Sequence, residues 1–386
     1  MQLHSHLIKA LLVFNCLVAG LISGCAHSPS SDSPNSEKDN MKPTTFFSAE
    51  NKPLVIAHRG ASGYAPEHSL VAKAMAHTMG VDYIEQDVVM TKDDHLVVLH
   101  DPYLDRVTNV MTEYPTRFRE MFGEKRWLAI DFTLAEIKTL KMTEGFEFDE
   151  KTNSMSSPYP NRFPIFKSNF QVSTLEEEIE LIQGLNHSTQ KDIGIYVEVK
   201  APWLHLMEGK DISLKTLQVL KQYGYSTKQD KVYFQCFDPE ETQRVHDQLL
   251  PSLNMDIKLV QLIAHTDWNE TMRLKNGELT PYNYDWIFEQ GAMQKISQYA
   301  DGIGPWMPML VNNDANKTSA TESKLLVDAK ANGLAIHPYT FRAEKSKIPA
   351  FAKDFEQLLE IFLIKLKVDG VFTDQPDKVI DFIRRN

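Results

Sequence analysis

The sequence predicts a modified (β/α)₈ barrel, an α/β fold, with an inserted cap region. Short β-branched runs alternate with longer amphipathic stretches from residue 53 onward, and this alternation is typical of a parallel sheet covered by helices. Acidic and basic residues cluster towards the ends of several strand-like runs, where barrel enzymes build their sites. The composition, 42% hydrophobic and 24% charged, is that of an ordinary globular chain.

Nine segments are candidate strands, one more than an eight-stranded barrel needs. Tyr83–Val89 and Leu96–Leu99 are joined only by a short polar turn, whereas parallel neighbours need a connection of about a dozen residues. One of these two segments is therefore predicted to be an accessory strand. The candidates are Leu54–Ala57, Tyr83–Val89, Leu96–Leu99, Ile193–Val199, Val232–Cys236, Lys258–Ile263, Gly302–Gly304, Leu334–His337 and Gly370–Thr373.

The helix after the first strand illustrates the pattern between strands. It is predicted to open with Pro66-Glu67 and to stop at Gly80. Proline in the first turn, an acid beside the amino terminus and glycine past the end are ordinary helix punctuation. Strand–helix alternation of this kind favours a parallel sheet with the helices outside it.

Two regions depart from the alternation. Residues 102–170 are irregular apart from a helical stretch near Leu134–Leu140, and so long an insertion after a catalytic candidate predicts a cap over the site. Residues 264–300 are predicted to form a long, partly helical connection. That connection carries Trp268 and Trp286, for which packing in the core is the expected role.

The first residues indicate export and a lipid anchor. Lys9 is followed by an apolar stretch over residues 10–22, and the run ends in Ile22-Ser23-Gly24-Cys25, which resembles a bacterial lipobox. Such a motif predicts that cleavage leaves Cys25 as the acylated first residue. A retained membrane anchor is the alternative, because the stretch is nearly long enough to cross a bilayer.

The predicted organisation is a lipoprotein signal peptide over residues 1–24, a lipidated flexible tether over 25–50 and one barrel domain over 51–386. The expected location is the bacterial cell envelope, as a periplasmic lipoprotein anchored to the outer membrane. Only Cys236 would remain beside the lipidated Cys25, so no disulfide is expected in the mature chain.

The formal net charge of −11 argues against nucleic acid as a partner, because the field of the whole protein repels polyanions. The chain also lacks a long basic run. An anionic substrate would need a locally positive site, most simply a bound metal ion. No protein partner is predicted, and the only membrane contact expected is the lipid anchor.

Two pairs of charged residues occupy alternate positions on predicted strands. Glu85 and Asp87 leave the same face of one strand, and Glu198 and Lys200 repeat this arrangement on another. Ionised side chains are rarely buried unless they are paired or metal-bound. Three carboxylates without Cys or His ligands favour a hard cation such as Ca²⁺ or Mg²⁺. Solvated strand residues or local ion pairs are the alternative interpretation for either pair alone.

Two histidines each follow an apolar run, where a strand ends at the rim of the sheet. As a pair beside a metal, His58 and His100 suit general acid–base catalysis, although either alone is more often structural. Arg59 can bind phosphate oxygens through its planar fork. Glu67 is a candidate contact for a substrate hydroxyl, but an acid near a helix start needs no catalytic role.

These residues fall within motifs of a known family. The segment from Ala57 to Glu67, Ala-His-Arg-Gly-Ala-Ser-Gly-Tyr-Ala-Pro-Glu, strongly resembles the opening motif of the glycerophosphodiester phosphodiesterases. The resemblance extends from about Leu54 to the carboxyl terminus. It continues in family order through Glu85-Gln86-Asp87, Val98-Leu99-His100-Asp101, Val197-Glu198-Val199-Lys200 and Gly370-Val371-Phe372-Thr373-Asp374. Two further motifs, His337-Pro338-Tyr339-Thr340 and Asp131-Phe132-Thr133-Leu134, are similar to the bacterial periplasmic branch.

The resemblance implies a TIM barrel of the phospholipase-C-like phosphodiesterase type with the cap after the His100 segment. It implies one divalent cation on Glu85, Asp87 and Glu198, and Ca²⁺ is favoured over Mg²⁺ because periplasmic relatives resemble this chain most. It further implies His58 and His100 as catalytic residues and Arg59 and Lys200 as phosphate ligands. The expected substrates are small glycerophosphodiesters such as glycerophosphocholine or glycerophosphoethanolamine, cleaved to sn-glycerol 3-phosphate and an alcohol.

One departure from the family pattern is His68, which stands where many members have Asn. This makes the contacts around the substrate's glycerol less certain than the chemistry. Two alternatives to the hydrolysis of soluble diesters are a phospholipase acting on intact lipids and a non-catalytic surface binding lipoprotein. A glycoside hydrolase would also use barrel carboxylates, but it would not need the paired histidines or the basic residues.

Overall fold

The computed structural model describes residues 46–48, 51–149, 151–312 and 320–386. Within these residues, eight parallel strands form a nearly closed barrel, which confirms the predicted fold class. None of the helices in this part of the chain is both long enough and apolar enough to span a bilayer. The predicted signal peptide, Cys25 and most of the predicted tether lie outside the described residues.

The barrel begins and ends with neighbouring strands, because β1 lies between β2 and β8. Between β7 and β8, the Phe372 N–H donates to the Pro338 carbonyl at 3.1 Å and brings the two edges of the sheet together. The strands are β1 (Leu54–Ala57), β2 (Tyr83–Met90), β3 (Gly194–Val199), β4 (Val232–Cys236), β5 (Lys258–Ile263), β6 (Gly302–Pro305), β7 (Ala335–Ile336) and β8 (Gly370–Thr373).

Eight helices follow the strands in alternation and cover the outside of the barrel. They are α1 (Leu70–Met79), α2 (Leu175–Thr189), α3 (Ile212–Gln222), α4 (Pro239–Arg244), α5 (Ala292–Ile296), α6 (Lys324–Ala331), α7 (Phe355–Leu359) and α8 (Pro376–Arg385). Helices α4 and α7 continue into the π-helical segments Val245–Leu249 and Glu360–Lys365.

The start of α1 differs from the prediction. The helix begins at Leu70 and not with Pro66-Glu67, because Ser69 is the amino-terminal cap and its hydroxyl accepts a hydrogen bond from the Ala72 N–H at 3.2 Å. Glu67 is therefore not an acid of the first helical turn. The predicted end is correct: Gly80 adopts a left-handed conformation, with φ of 84°, just after Met79.

The ninth candidate strand is an accessory strand, as predicted. Leu96–Val98 pairs antiparallel with the end of β2, where Val88 lies opposite Val98. The segment 102–170 follows and contains only short elements. They are the helical turns Val110–Glu113, Ala129–Asp131 and Leu134–Ile137 and the hairpins Arg119–Met121 with Glu124–Arg126 and Glu147–Asp149 with Ser154–Ser156.

The segment 102–170 has a hydrophobic core of its own. Trp127, Phe132 and Met142 pack there with Val89 of β2 and Val97 of the accessory strand. The inserted segment is therefore attached to the barrel through an apolar contact rather than through a flexible linker.

The connection over residues 264–300 contains a hairpin that the sequence did not predict. Met272–Lys275 pairs antiparallel with Glu278–Pro281. The same connection contains the single turns Thr266–Trp268 and Asp285–Phe288. The other short elements of the described chain are the helix Pro202–Met207, the pair Val311–Asn312 with Thr321–Glu322 and the single turns Leu250–Ser252, Met307–Leu310 and Lys345–Lys347.

The barrel interior changes from apolar to acidic along β2. Tyr83, Glu85 and Asp87 point inward in turn because strand side chains alternate with a period of two. At the level of Tyr83 the interior is filled by aromatic rings, among them Tyr196 and Tyr233, which stack with centroids 4.6 Å apart. The carboxylates lie above this packed layer, towards the carboxyl ends of the strands.

Candidate active site

The three predicted acidic residues form one buried cluster. Asp87 of β2 lies opposite Glu198 of β3 in the parallel register, and Glu85 is two residues before Asp87 on the same face. One oxygen of each carboxylate lies within 4.8 Å of the others. Glu85, Asp87 and Glu198 are only 3%, 1% and 5% exposed, so bulk water does not separate their charges.

The electrostatics of the cluster fit a bound cation. Burial raises the pKa of Glu198 to about 8, against the attraction of Lys200. Burial and the nearby Asp87 and Glu198 also raise the pKa of Glu85 well above its usual range. Interactions with His68, and then with Lys200, hold the pKa of Asp87 low despite its burial. Three acids this close favour a divalent cation among them, since it would compensate the charge that they share.

Hydrogen bonds fix both oxygens of Glu85. The Arg59 backbone N–H donates to Oε2 at 2.8 Å, and the Gln235 side chain donates to Oε1 at 3.0 Å. Gln235 of β4 was not predicted as a site residue. Its position opposite Glu198 in the register places it on the same inward face.

His58 follows β1 directly and is oriented by an aspartate from the last strand. Its Nδ1 lies 2.6 Å from Oδ1 of Asp374, and its Nε2 faces the cluster at 4.0 Å from Oε2 of Glu85. Burial lowers the pKa of His58 to about 4, with Arg59 adding to this effect and Asp374 opposing it. His58 is therefore neutral near pH 7 and can accept a proton through Nε2.

Asp374 was quoted in a sequence motif but was not predicted as a site residue. Its second oxygen, Oδ2, accepts hydrogen bonds from Arg162 Nη2 at 2.6 Å and from Arg342 Nε at 2.8 Å. Arg162 belongs to the inserted segment, so the insertion is connected to His58 through Asp374. The signal that could have identified Asp374 is its place directly after β8, equivalent to that of His58 after β1.

His100 has a carboxylate partner of its own. Its Nδ1 lies 2.7 Å from Oδ1 of Asp101, and Arg106 donates to Oδ2 of Asp101 at 2.7 Å. Burial, with Arg59 and Lys200, lowers the pKa of His100. Both predicted histidines thus bind an aspartate through Nδ1, which leaves Nε2 of each ring to accept or donate a proton.

Arg59 is held rigidly beside the cluster. It has a left-handed conformation, with φ of 58°, and its Nη1 donates to Oε2 of Glu67 at 2.7 Å. Gly60 completes the turn with φ of 87°, and a Cβ there would come within 2.8 Å of the Ala72 backbone of α1. Arg59 Nε is buried and forms no hydrogen bond in the described structure, and it lies 3.8 Å from Oδ2 of Asp87 in an ion pair.

The other two predicted contacts lie at the edge of the cluster. Lys200 Nζ donates to Oε1 of Glu198 at 2.6 Å, and it lines a smaller neighbouring cavity together with His100. Glu67 contacts Arg59 and does not line the main cavity. The structure therefore places Glu67 where it orients Arg59.

One cavity of about 350 Å³ joins these groups. Its lining includes the two histidines and the acidic cluster, and also aromatic residues, among them Trp268 and Trp306, whose ring centroids are 5.4 Å apart in an edge-on contact. Both Trp268 and Trp286 pack against the core, which was the expected role, and Trp268 lines the cavity in addition. The wall consists of His58, Arg59, Glu85, Asp87, His100, Glu198, Gln235, Phe237, Leu262, Trp268, Glu270, Trp306, Tyr339, Thr340, Arg342 and Phe372.

Solved structures share this fold. An Oleispira antarctica phosphodiesterase in complex with the product sn-glycerol-3-phosphate superimposes with a TM-score of 0.54 at 21% identity and covers 86% of this chain and 97% of its own. A second solved structure, from Silicibacter pomeroyi, gives a TM-score of 0.58 at 20% identity and covers 88% of this chain and 96% of its own. At these identities the likeness supports the barrel fold.

Sequence comparison identifies the family. A Haemophilus influenzae protein named glycerophosphodiester phosphodiesterase is 46% identical over 375 residues, which are 97% of this chain and 98% of the relative. A Treponema pallidum protein of the same name is 40% identical over 332 residues, 86% of this chain and 91% of its own. The profile of the glycerophosphoryl diester phosphodiesterase family matches residues 58–378. The chain is therefore an enzyme that belongs to the glycerophosphoryl diester phosphodiesterase family.

Proposed function

We propose that this phosphodiesterase cleaves small glycerophosphodiesters in a cation-dependent reaction in which His58 and His100 transfer the protons. The observation that carries the proposal is the shared cavity, which holds two histidines, each bonded to its own aspartate, beside a buried cluster of three carboxylates. Paired histidines suit a reaction in which one proton leaves a hydroxyl while another reaches a departing alcohol.

The proton transfers follow from the two histidines. One histidine accepts the proton of a glycerol hydroxyl, whose oxygen attacks phosphorus, and the other protonates the head-group alcohol as its P–O bond breaks. Water then opens the resulting cyclic phosphate with the two roles exchanged, which gives sn-glycerol 3-phosphate. Because Arg59 lowers the pKa of both histidines, the arriving phosphate anion offsets that effect and favours protonation of one of them.

Glu85, Asp87 and Glu198 would hold the cation. A divalent cation there would neutralise phosphate charge and lower the pKa of the attacking hydroxyl. Both Ca²⁺ and Mg²⁺ are hard cations that take carboxylate oxygens, so the ligands alone do not choose between them. We favour Ca²⁺ because of the resemblance to periplasmic relatives.

Arg59 and Lys200 are the proposed phosphate contacts. Arg59 Nε forms no hydrogen bond in the described structure and lies 3.8 Å from Oδ2 of Asp87, and Glu67 fixes the guanidinium through Nη1, so the fork is already oriented. The phosphodiesterase from Oleispira antarctica was solved with sn-glycerol-3-phosphate, which supports a small-molecule substrate of this class. Glycerophosphocholine and glycerophosphoethanolamine are the substrates that we propose.

We also propose that the enzyme is a periplasmic lipoprotein, anchored to the outer membrane through Cys25. Support comes from the sequence of residues 1–25 alone. Labelling of cells with a radioactive fatty acid should mark the wild-type protein and not Cys25→Ser, and the mature wild-type chain should begin at Cys25. An unlabelled wild-type protein that keeps residues 1–24 would instead favour an uncleaved anchor.

The reaction is tested by release of glycerol 3-phosphate from glycerophosphocholine. We expect a chelator to abolish turnover and Ca²⁺, or less effectively Mg²⁺, to restore it. His58→Ala should abolish turnover while cation binding persists. Turnover that resists the chelator would contradict the cation requirement, and substantial activity of the His58 variant would contradict its role.

A further inference from the structure

A lysine lies fully buried behind the carboxylate cluster. Lys73 of α1 has no exposed surface, and a buried ammonium group needs a counter-charge and hydrogen-bond acceptors to offset its lost hydration. Its Nζ lies 3.1 Å from Nδ1 of His68 and 3.1 Å from Oε2 of Glu178, and it also donates to the backbone carbonyl of Glu85. Lys73 thus hydrogen-bonds to His68 and Glu85 and pairs its charge with Glu178, whose Oε2 forms no hydrogen bond of regular geometry in the described structure.

Lys73 determines which nitrogen of His68 carries the proton. An ammonium group has donors only, so Nδ1 of His68 must act as the acceptor. The ring proton is therefore on Nε2, which donates to Oδ2 of Asp87 at 2.8 Å. Oδ1 of Asp87 is buried without a hydrogen-bond partner in the described structure. His68 thus occupies one oxygen of Asp87 and leaves the other for a ligand.

The same ammonium group influences both acidic residues of β2. It fixes the backbone at Glu85 directly and the carboxylate of Asp87 through His68. Glu178 of α2 supplies the counter-charge and is itself held by the Ser173 hydroxyl at 2.7 Å. Two helices are thus joined to the strand that carries two of the three carboxylates.

A role in packing alone would not explain this arrangement. Replacing a buried ion pair by apolar residues of similar volume is often neutral or stabilising. Lys73 and Glu178 would therefore be dispensable if they only joined α1 to α2. Because they are also connected to the two acids of β2, they have a second role, which is to orient Asp87.

We propose that Lys73 and His68 are positioning residues that set the cation affinity of the acidic cluster by presenting Oδ1 of Asp87. The proposal rests on the cation-dependent function given above. Residues that orient metal ligands typically contribute about 10–100-fold to metal affinity. The His68 side chain is then part of the cation site and not only of the surroundings of the glycerol.

The test is the dissociation constant of Ca²⁺, measured by titration calorimetry on the purified protein together with the melting temperature of the cation-free form. The double variant Lys73→Met with Glu178→Leu removes both buried charges at similar volume, and His68→Phe removes the bond to Asp87 while it keeps a ring. We expect both to weaken Ca²⁺ binding about 10–100-fold. The double variant should not melt at a lower temperature.

His77→Phe is the matched control. His77 also lies on α1 and is 1% exposed, and its Nε2 contacts Oδ1 of Asn186 on α2 at 3.0 Å without reaching the cluster. The control should lower the melting temperature and leave Ca²⁺ affinity unchanged. Unchanged affinity in the His68 variant, with a normally binding wild type, would overturn the positioning role. A wild type that binds neither Ca²⁺ nor Mg²⁺ would overturn the proposed cation dependence as well.

Discussion

Asp374→Asn removes a charge that orients His58 and keeps the shape of the side chain. The wild-type carboxylate accepts from three directions, since Oδ1 contacts His58 Nδ1 at 2.6 Å and Oδ2 contacts Arg162 and Arg342 at 2.6 and 2.8 Å. An amide has one oxygen and one NH₂ group, so it cannot accept on both sides. If the oxygen remains with the arginines, the NH₂ group faces Nδ1 and drives the ring proton to Nε2, where it blocks proton acceptance.

The size of the effect follows from the role of the base. General acid–base catalysis contributes about 10²–10⁴-fold, and each tenfold corresponds to about 1.4 kcal/mol. We expect Asp374→Asn to lower kcat about 10²-fold or more, which is about 3 kcal/mol, with a small change in KM because Asp374 does not line the cavity. Asp374 also raises the pKa of His58, so its removal should shift the acidic limb of the pH profile to lower pH.

The assay is glycerol 3-phosphate release across pH, with circular dichroism to verify folding. Asp377→Asn is the matched control, because Asp377 lies three positions further on and accepts only from the Tyr64 hydroxyl, at 2.7 Å. The control should keep kcat. A folded Asp374→Asn protein with kcat within about threefold of wild type, against the expected 10²-fold loss, would refute the orientation of His58 by Asp374.

Three further predictions concern the phosphate, the cation and the aromatic wall. Arg59→Lys should raise KM about tenfold or more, because a lysine cannot offer the planar pair of donors; an unchanged KM would exclude a bidentate phosphate contact. Ca²⁺ affinity should rise from pH 6 to pH 8, because the pKa of Glu198 is about 8 and that of Glu85 is also raised, and protons compete with the cation below these values. Calorimetry that shows no pH dependence of the affinity would contradict this prediction. Trp268→Ala should raise KM for glycerophosphocholine with kcat little changed, since it removes aromatic surface from the cavity wall, whereas a loss confined to kcat would point to disturbed catalytic groups.

Local periodicity was sufficient to predict the acidic cluster. Glu85 and Asp87 share a face because strand side chains alternate, and Glu198 follows the same rule on the neighbouring strand. The accessory strand was predictable from the length of one connection, because the turn before Leu96 is too short for a parallel crossover.

Contacts between distant segments could not be predicted in this way. Asp374 meets His58 only because β8 closes the barrel beside β1, and Arg162 reaches Asp374 from an insertion that has no regular pattern. The start of α1 was misplaced because Pro66 resembles a first-turn proline. His68, with φ of 59°, adopts a left-handed conformation there, and the helix begins only after Ser69.

The adjacency of β1 and β8 has a consequence for the order in which the enzyme becomes active. His58 and Asp374 are 316 positions apart in the chain, so this hydrogen bond closes almost the longest loop that the domain contains. During synthesis, the acidic cluster can assemble once β2, β3 and β4 are available. Proton transfer by an oriented His58 must wait for the last strand. A folding intermediate with an open barrel would therefore bind a cation before it could hydrolyse a diester.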